Sequence, residues 1–143
     1  QYPSRNREGS NNEMRILFTG PERPVTNPFE NNHLFAQWAR SSAYGDLLDN
    51  HLLHNAPQGD KAGAYATKGP SAWRGPYTTG APLDPWGRPY LINVYSAYHD
   101  SATTNVGVYI LSAGENGVIE TPQYAQRSDD VDGDDIGLVI HER

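Results

Sequence analysis

The chain has 143 residues, 36% of them hydrophobic, with 14 Gly, 11 Pro, three Trp and nine Tyr. That composition suits one loop-rich domain with a modest core and is too aromatic for a disordered chain. The net charge is −6 with 11 scattered Lys and Arg and no Cys, which argues against nucleic acid or an anionic membrane surface as partner and excludes disulfides and thiolate metal sites.

Gln1 to Asn12 is polar and lacks periodicity, so it reads as a flexible or partner-draped arm. No apolar segment of a signal peptide occurs there, and a chain starting at Gln is expected to be a mature exported one. Met14–Thr19 is a short apolar run closed by Gly20-Pro21, which predicts a strand. The expected organisation is an extended arm with this strand over 1–27 and a globular head over 28–143.

Asn27-Pro28-Phe29-Glu30 has the chemistry of a helix start: Asn caps, Pro fits the first helical position, and Glu reaches back from N3. Leu34, Phe35, Trp38 and Ala39 then share one helical face. Gly45 should break this helix, and Asp46 should cap a second, short one with Leu47, Leu48, Leu52 and Leu53 inward, ending before Pro57. His51 and His54 are three apart, a spacing that can put both on one metal. With no third such ligand nearby, they read as residues on a solvated helix face.

Residues 56–80 are rich in Gly, Pro, Ala, Lys and Thr, a loop long enough to suggest a functional role. Trp73-Arg74-Gly75-Pro76-Tyr77 leads into Asp84-Pro85-Trp86-Gly87-Arg88-Pro89-Tyr90. Asp84-Pro85-Trp86-Gly87 suits a type I turn, with Asp bonding back to the backbone, Pro presetting φ and Gly closing. The surrounding rings are expected to form a stiff aromatic plate. Strands are predicted at Tyr90–Tyr95, Val106–Ser112 and Gly137–His141. Asn116-Gly117 suits a two-residue hairpin, or a loop bent around an ion. A helix followed by a small antiparallel sheet, an α+β arrangement with long loops, is the expected fold.

Five acids fall between Asp129 and Asp135, a density that repels itself unless a cation or solvent relieves it. Asp130, Asp132 and Asp134 have the spacing that opens an EF-hand loop, but the closing Glu would fall on His141 and Gly133 is at the fourth position instead of the sixth, which argues against an EF-hand. A solvated loop, or pairing with Arg127 and Arg143, is the plainer alternative. The chain has no Gly-x-Ser-x-Gly elbow, no Cys and no phosphate-binding glycine loop, and no active site is expected.

The two aromatic segments resemble the signature of the major pseudopilin of type II secretion, within the type IV pilin-like superfamily. Ser112-Ala113-Gly114-Glu115-Asn116-Gly117 and Asp134-Asp135-Ile136-Gly137 are similar to two further segments of that family. The resemblance covers roughly Tyr44 to Ile140. It implies a non-enzymatic subunit of an extracellular or periplasmic filament, assembling with copies of itself, with loop 56–80 in subunit contacts. It also implies one calcium that fixes the terminal loop to the sheet. By position its ligands would be the Ala113 carbonyl, the Asn116 side chain, and the Asp134 and Asp135 carboxylates. Asn116 stands where the family has Asp, and the loop 118–133 is longer than usual; Asp132 or Glu120 could compensate.

Family members normally begin with a long helix whose first half is apolar, and nothing in this sequence matches it. The helix is either cut from this chain or supplied by a separate short apolar chain, as in a split pilin. In the second case Ile16, Phe18, Leu34 and Trp38 are the expected contact residues, although Met14–Thr19 could equally be an ordinary edge or core strand. A secreted carbohydrate-binding module, stacking sugars on Trp73, Tyr77, Trp86 and Tyr95, is the alternative from another class.

Overall fold

The computed structural model describes residues 16–22, 45–94, 108–122 and 131–140. Five strands form one sheet: β1 (Ile16–Phe18), β2 (Gly45–Leu47), β3 (Leu91–Asn93), β4 (Val108–Ser112) and β5 (Ile136–Ile140). Their order across the sheet is β2-β1-β3-β4-β5. β1 and β2 run parallel, and the other three pairings are antiparallel. A short helix, α1 (Leu48–Leu52), the one α-helix among the described residues, follows β2 directly, and two 3₁₀ turns come next, Pro57–Gly59 and Lys61–Gly63.

Alternation of side chains along each strand divides the apolar residues between the two faces. Ile16, Phe18, Leu91, Tyr109 and Leu111 join Ala113 and Ile119 in one buried cluster, with Leu47, Val131 and Val139 packed on it. Leu17, Ile92 and Val94 form the other, with Leu48 and Ile110. Residues hydrophobic on both faces make the three middle strands continuous apolar runs, as sheets covered on both sides require. Each fully buried Leu, Ile or Tyr there is worth roughly 1.5–3 kcal/mol of transfer free energy. The edge strand β5 is different: Ile136, Leu138 and Ile140 are 57%, 63% and 41% exposed.

The fold class expected from the sequence is overturned. Among the described residues the architecture is a mixed five-stranded sheet with one five-residue helix and 3₁₀ turns, not a helix packed on an antiparallel sheet. Gly45 and Asp46, expected to break one helix and cap the next, lie in β2 and pair with Ile16 and Leu17. The N-cap of α1 is Leu47, with no side-chain cap bond. Local cap preference is worth about 1 kcal/mol, and strand pairing together with the four donors that surround the Asp46 carboxylate outweighs it. The helix predicted from Asn27, with Leu34 and Trp38, lies outside the described residues, as does the boundary expected at 27/28.

Five residues are too few for a helix to hold itself, and α1 is held by the loop that follows it. Its last carbonyls have no partner within the helix. The Trp73 indole N–H donates to the His51 carbonyl at 2.8 Å, and the Tyr77 N–H donates to that of Leu52 at 2.8 Å. A side chain at Gly75 would strike the Trp73 ring, so Gly75 lets the indole lie against the backbone. Asn55 holds Tyr65 by both backbone groups, and Asp49 accepts the Ala81 N–H at 2.9 Å. The segment that follows α1 is thus tied back to the helix and its flank at Tyr65, Trp73, Tyr77 and Ala81.

Candidate functional site

The Asp84–Gly87 turn forms as its residues dictate. The Gly87 N–H donates to the Asp84 carbonyl at 3.0 Å. Asp84 Oδ1 accepts the N–H groups of Trp86 and Arg88 at 3.0 and 2.7 Å. A bridge between Leu83 and Pro89 closes the base. Trp73 and Tyr77 meet edge to face, 5.6 Å between centroids, and carry the ring contact of the expected plate. Trp86, 42% exposed, stands at the tip of the turn, and Tyr77 is 56% exposed.

Beyond β4 the chain bends through Gly114–Gly117. Both glycines have left-handed φ, 58° and 75°, and the Gly117 N–H donates to the Ala113 carbonyl at 3.1 Å. Asn116 does not have the positive φ that a two-residue Asn-Gly hairpin needs, and β4 pairs with β5 instead of with the residues just after the bend. The hairpin expectation is therefore corrected to a local bend.

The terminal acids come back onto this bend. Asn116 N–H donates to Asp134 Oδ2 at 3.0 Å, Asn116 Nδ2 donates to Glu120 Oε2 at 3.3 Å, and the Asp134 N–H donates to the same Glu120 oxygen at 2.9 Å. A side chain at Gly114 would collide with the Asp134 carbonyl, and one at Gly133 with the Glu120 carboxylate; glycine at both places allows this approach. Asn116 Oδ1 is occupied by the Val118 N–H at 2.6 Å.

Asp135 is only 6% exposed. Its Oδ2 accepts the Glu120 and Thr121 N–H groups at 2.9 and 2.7 Å, while Oδ1 is buried with no hydrogen-bond partner among the described residues. Burial pushes its carboxyl above the ordinary value, with a smaller push from Glu120, against the opposing hydrogen bonds from Thr121 and Glu120. Asp132 is exposed, with its N–H on Thr121 Oγ1 at 3.0 Å and its carbonyl accepting the Asp135 N–H at 3.2 Å.

Of the residues singled out from the sequence, Ala113, Asn116, Asp134 and Asp135 are brought to one place, with Asp132 at its edge. Among the described residues no three His, Asp or Glu side chains already converge as a metal-ligand set. Ile16 and Phe18 are 3% and 6% exposed, inside the core. Leu34, Trp38 and Tyr95 lie outside the described residues.

A second polar centre was not anticipated. His51 is buried, not on a solvated face, and His54 is exposed. His51 Nε2 is 2.8 Å from Asp46 Oδ2, and Nδ1 is 2.6 Å from the Tyr65 hydroxyl. Asp46 also accepts from the Leu47 and Gln58 N–H groups and from Asn50 Nδ2, at 2.8, 2.6 and 2.7 Å. Burial works to raise the Asp46 carboxyl, but bonding to His51, Gln58 and Asn50 outweighs it and holds the group below its ordinary value. The signal in the sequence was helix phase: His51 is four residues from Leu47 and three from Leu48, on the face those leucines were expected to bury.

A clasped aromatic corner, a glycine bend and a returning acidic segment, set on a small sheet, define a structural head domain. A family model described as type II secretion system (T2SS), protein G, matches residues 48–128, over half of the chain, and the chain belongs to that family, the major pseudopilins. The family is a structural component of the secretion machinery, not an enzyme family. Neither a curated protein nor a solved structure matches the chain. Among the described residues no helix is long and apolar enough to cross a membrane.

Proposed function

We propose that the chain is the head of a filament subunit, in an extracellular or periplasmic pilus or pseudopilus, and that calcium at the 113–116 bend clamps its terminal segment to the sheet. One observation carries the calcium reading: Asp134 docks on the bend through Asn116, and the adjoining Asp135 has a buried oxygen with no hydrogen-bond partner among the described residues. A buried, half-satisfied carboxylate is costly, and a hard cation relieves it.

The donors fit calcium in kind, since all are oxygens: the Ala113 carbonyl, Asn116, Asp134, Asp135 and, with small side-chain movement, Glu120 or Asp132. Bound there, the ion would supply positive charge and cross-link residues far apart in sequence. The protein groups hold the bend and the terminal segment in reach of each other. Assembly with other pseudopilins is what the family implies; assembly with copies of itself and pairing with a separate short apolar helix are the finer parts of the proposal, and Ile16 and Phe18, buried in the chain's own core, are not its contact residues.

Thermal unfolding in millimolar calcium and in chelator tests the site. The melting temperature is expected to climb with calcium concentration as ligand linkage requires, and superimposable curves would refute it. Electron microscopy of native material tests the filament: one chain or two per repeat decides whether the helix is a separate polypeptide, and absence of any filament refutes the assembly role.

A further inference from the structure

The corner and the bend are joined by a closed circuit of hydrogen bonds among four residues. Ser112 Oγ–H donates to Asp84 Oδ2 at 2.7 Å in a buried position. The Gly114 N–H donates to Ser112 Oγ at 3.3 Å. Arg88 Nη1 donates to the Gly114 carbonyl at 3.2 Å, and the Arg88 N–H returns to Asp84 Oδ1 at 2.7 Å. Asp84 accepts from two members, Arg88 donates to two, and Ser112 and Gly114 each donate once and accept once, so none can shift without breaking a bond to another.

The bend lies between this circuit and the acids. On one side a side chain at Gly117 would meet the Arg88 guanidinium 2.5 Å from Nη2; on the other, one at Gly114 would meet the Asp134 backbone and carboxylate. Arg88 and Ser112 therefore determine where the 113–117 backbone stands relative to Asp134. From this we infer that Asp84, Ser112 and Arg88 are positioning residues for the cation site, an assignment that rests on the calcium reading above. None of the three is a proposed ligand. They act by holding the Ala113 carbonyl and Asn116 in register with the terminal carboxylates, as outer groups around metal sites do.

Direction separates this role from a plain charge effect. Removing a cation beside the site would by Coulomb's law strengthen calcium binding, whereas loss of positioning weakens it. Calorimetric titration of the full chain with calcium chloride is expected to show affinity reduced about tenfold in Arg88→Ala and in Ser112→Ala, by the usual scale for outer-shell residues. Arg88→Lys, which keeps one donor for the Gly114 carbonyl, should recover part of the loss.

In chelator, Arg88→Ala should raise the amide exchange rates of Gly114 and Gly117 while leaving those of β3 and β4 protected, a readout that also shows the variant is folded. Variants that bind calcium as tightly as the unaltered chain, or more tightly, would overturn this inference alone. Failure of the unaltered chain to bind calcium would overturn the calcium reading together with it. Unchanged exchange at Gly114 and Gly117 would overturn the positioning role whatever the calorimetry shows.

Discussion

Two buried aspartates, at opposite ends of the sheet, face opposite situations. Asp46 in β2, 2% exposed, is surrounded by donors: two backbone N–H groups, the Asn50 amide and the His51 imidazole. Asp135, ahead of β5, has its donors, from Glu120 and Thr121, on one oxygen and no partner among the described residues on the other, with the Glu120 charge nearby. The first carboxyl is held below its ordinary value and the second is pushed above it. A satisfied buried carboxylate belongs to the frame; a half-satisfied one is a place where a ligand gains something.

The largest expected effect breaks the satisfied centre. His51→Ala leaves the Asp46 charge buried without its imidazole and removes the ring nitrogen 2.6 Å from the Tyr65 hydroxyl. Loss of one member of a buried pair costs roughly 3–5 kcal/mol, to be read from urea unfolding midpoints. A loss under about 1 kcal/mol would mean that Asn50 and the backbone suffice, and the contrast with Asp135 would shrink.

Next comes Asp135→Asn. In chelator it should unfold at the same temperature or higher, because a buried charge has been removed, and the calcium-dependent rise should vanish. A rise equal to that of the unaltered chain would place the ion elsewhere.

Acid titration in chelator contrasts the two carboxyls directly, and their signs are opposite. Asp46, held low in the fold, contributes stability that is present above the ordinary value of 3.8 and is lost as pH falls through its folded value. Asp135, held high, contributes stability present below 3.8 and lost as pH rises through its folded value. Asp46→Asn should therefore flatten the loss of stability in acid, and Asp135→Asn should steepen it. Parallel profiles would dissolve the distinction.

The smallest effect lies at the loop that wraps α1. Trp73→Phe keeps a ring over Gly75 but removes the donor to the His51 carbonyl, at a net cost of about 1 kcal/mol for one hydrogen bond. A much larger loss in urea unfolding would show that the loop and the Asp46–His51 centre fail together.

How much was legible from the residues depends on how local the determining forces are. Asp84-Pro85-Trp86-Gly87 folds as read, because cap, ring constraint and glycine act within four residues. β1, β3, β4 and β5 fall within a few residues of the predicted runs, because short apolar, partly β-branched stretches mark them. Local preference marks Gly45 and Asp46 as helix punctuation, but their strand partners Ile16 and Leu17 lie 29 residues away in sequence and draw them into β2. Spacing alone puts His51 on a solvated face; Asp46 and Tyr65, which bury it, converge on it only in the fold. Asn116-Gly117 carried a hairpin signal that pairing between β4 and β5 cancelled.

For the site, residue types and family likeness marked Ala113, Asn116, Asp134 and Asp135, but not the ties that assemble them. The residues alone determined the aromatic turn, the apolar strands, the absence of thiol chemistry and the family. Tertiary structure alone decided the parallel pairing of β1 with β2, which buried aspartate is satisfied, and the Asp84–Ser112–Gly114–Arg88 circuit. The physical reason is range. A turn or a strand run is set by dihedral and burial preferences of adjacent residues, while a carboxylate's state is set by donors that the chain must travel to supply.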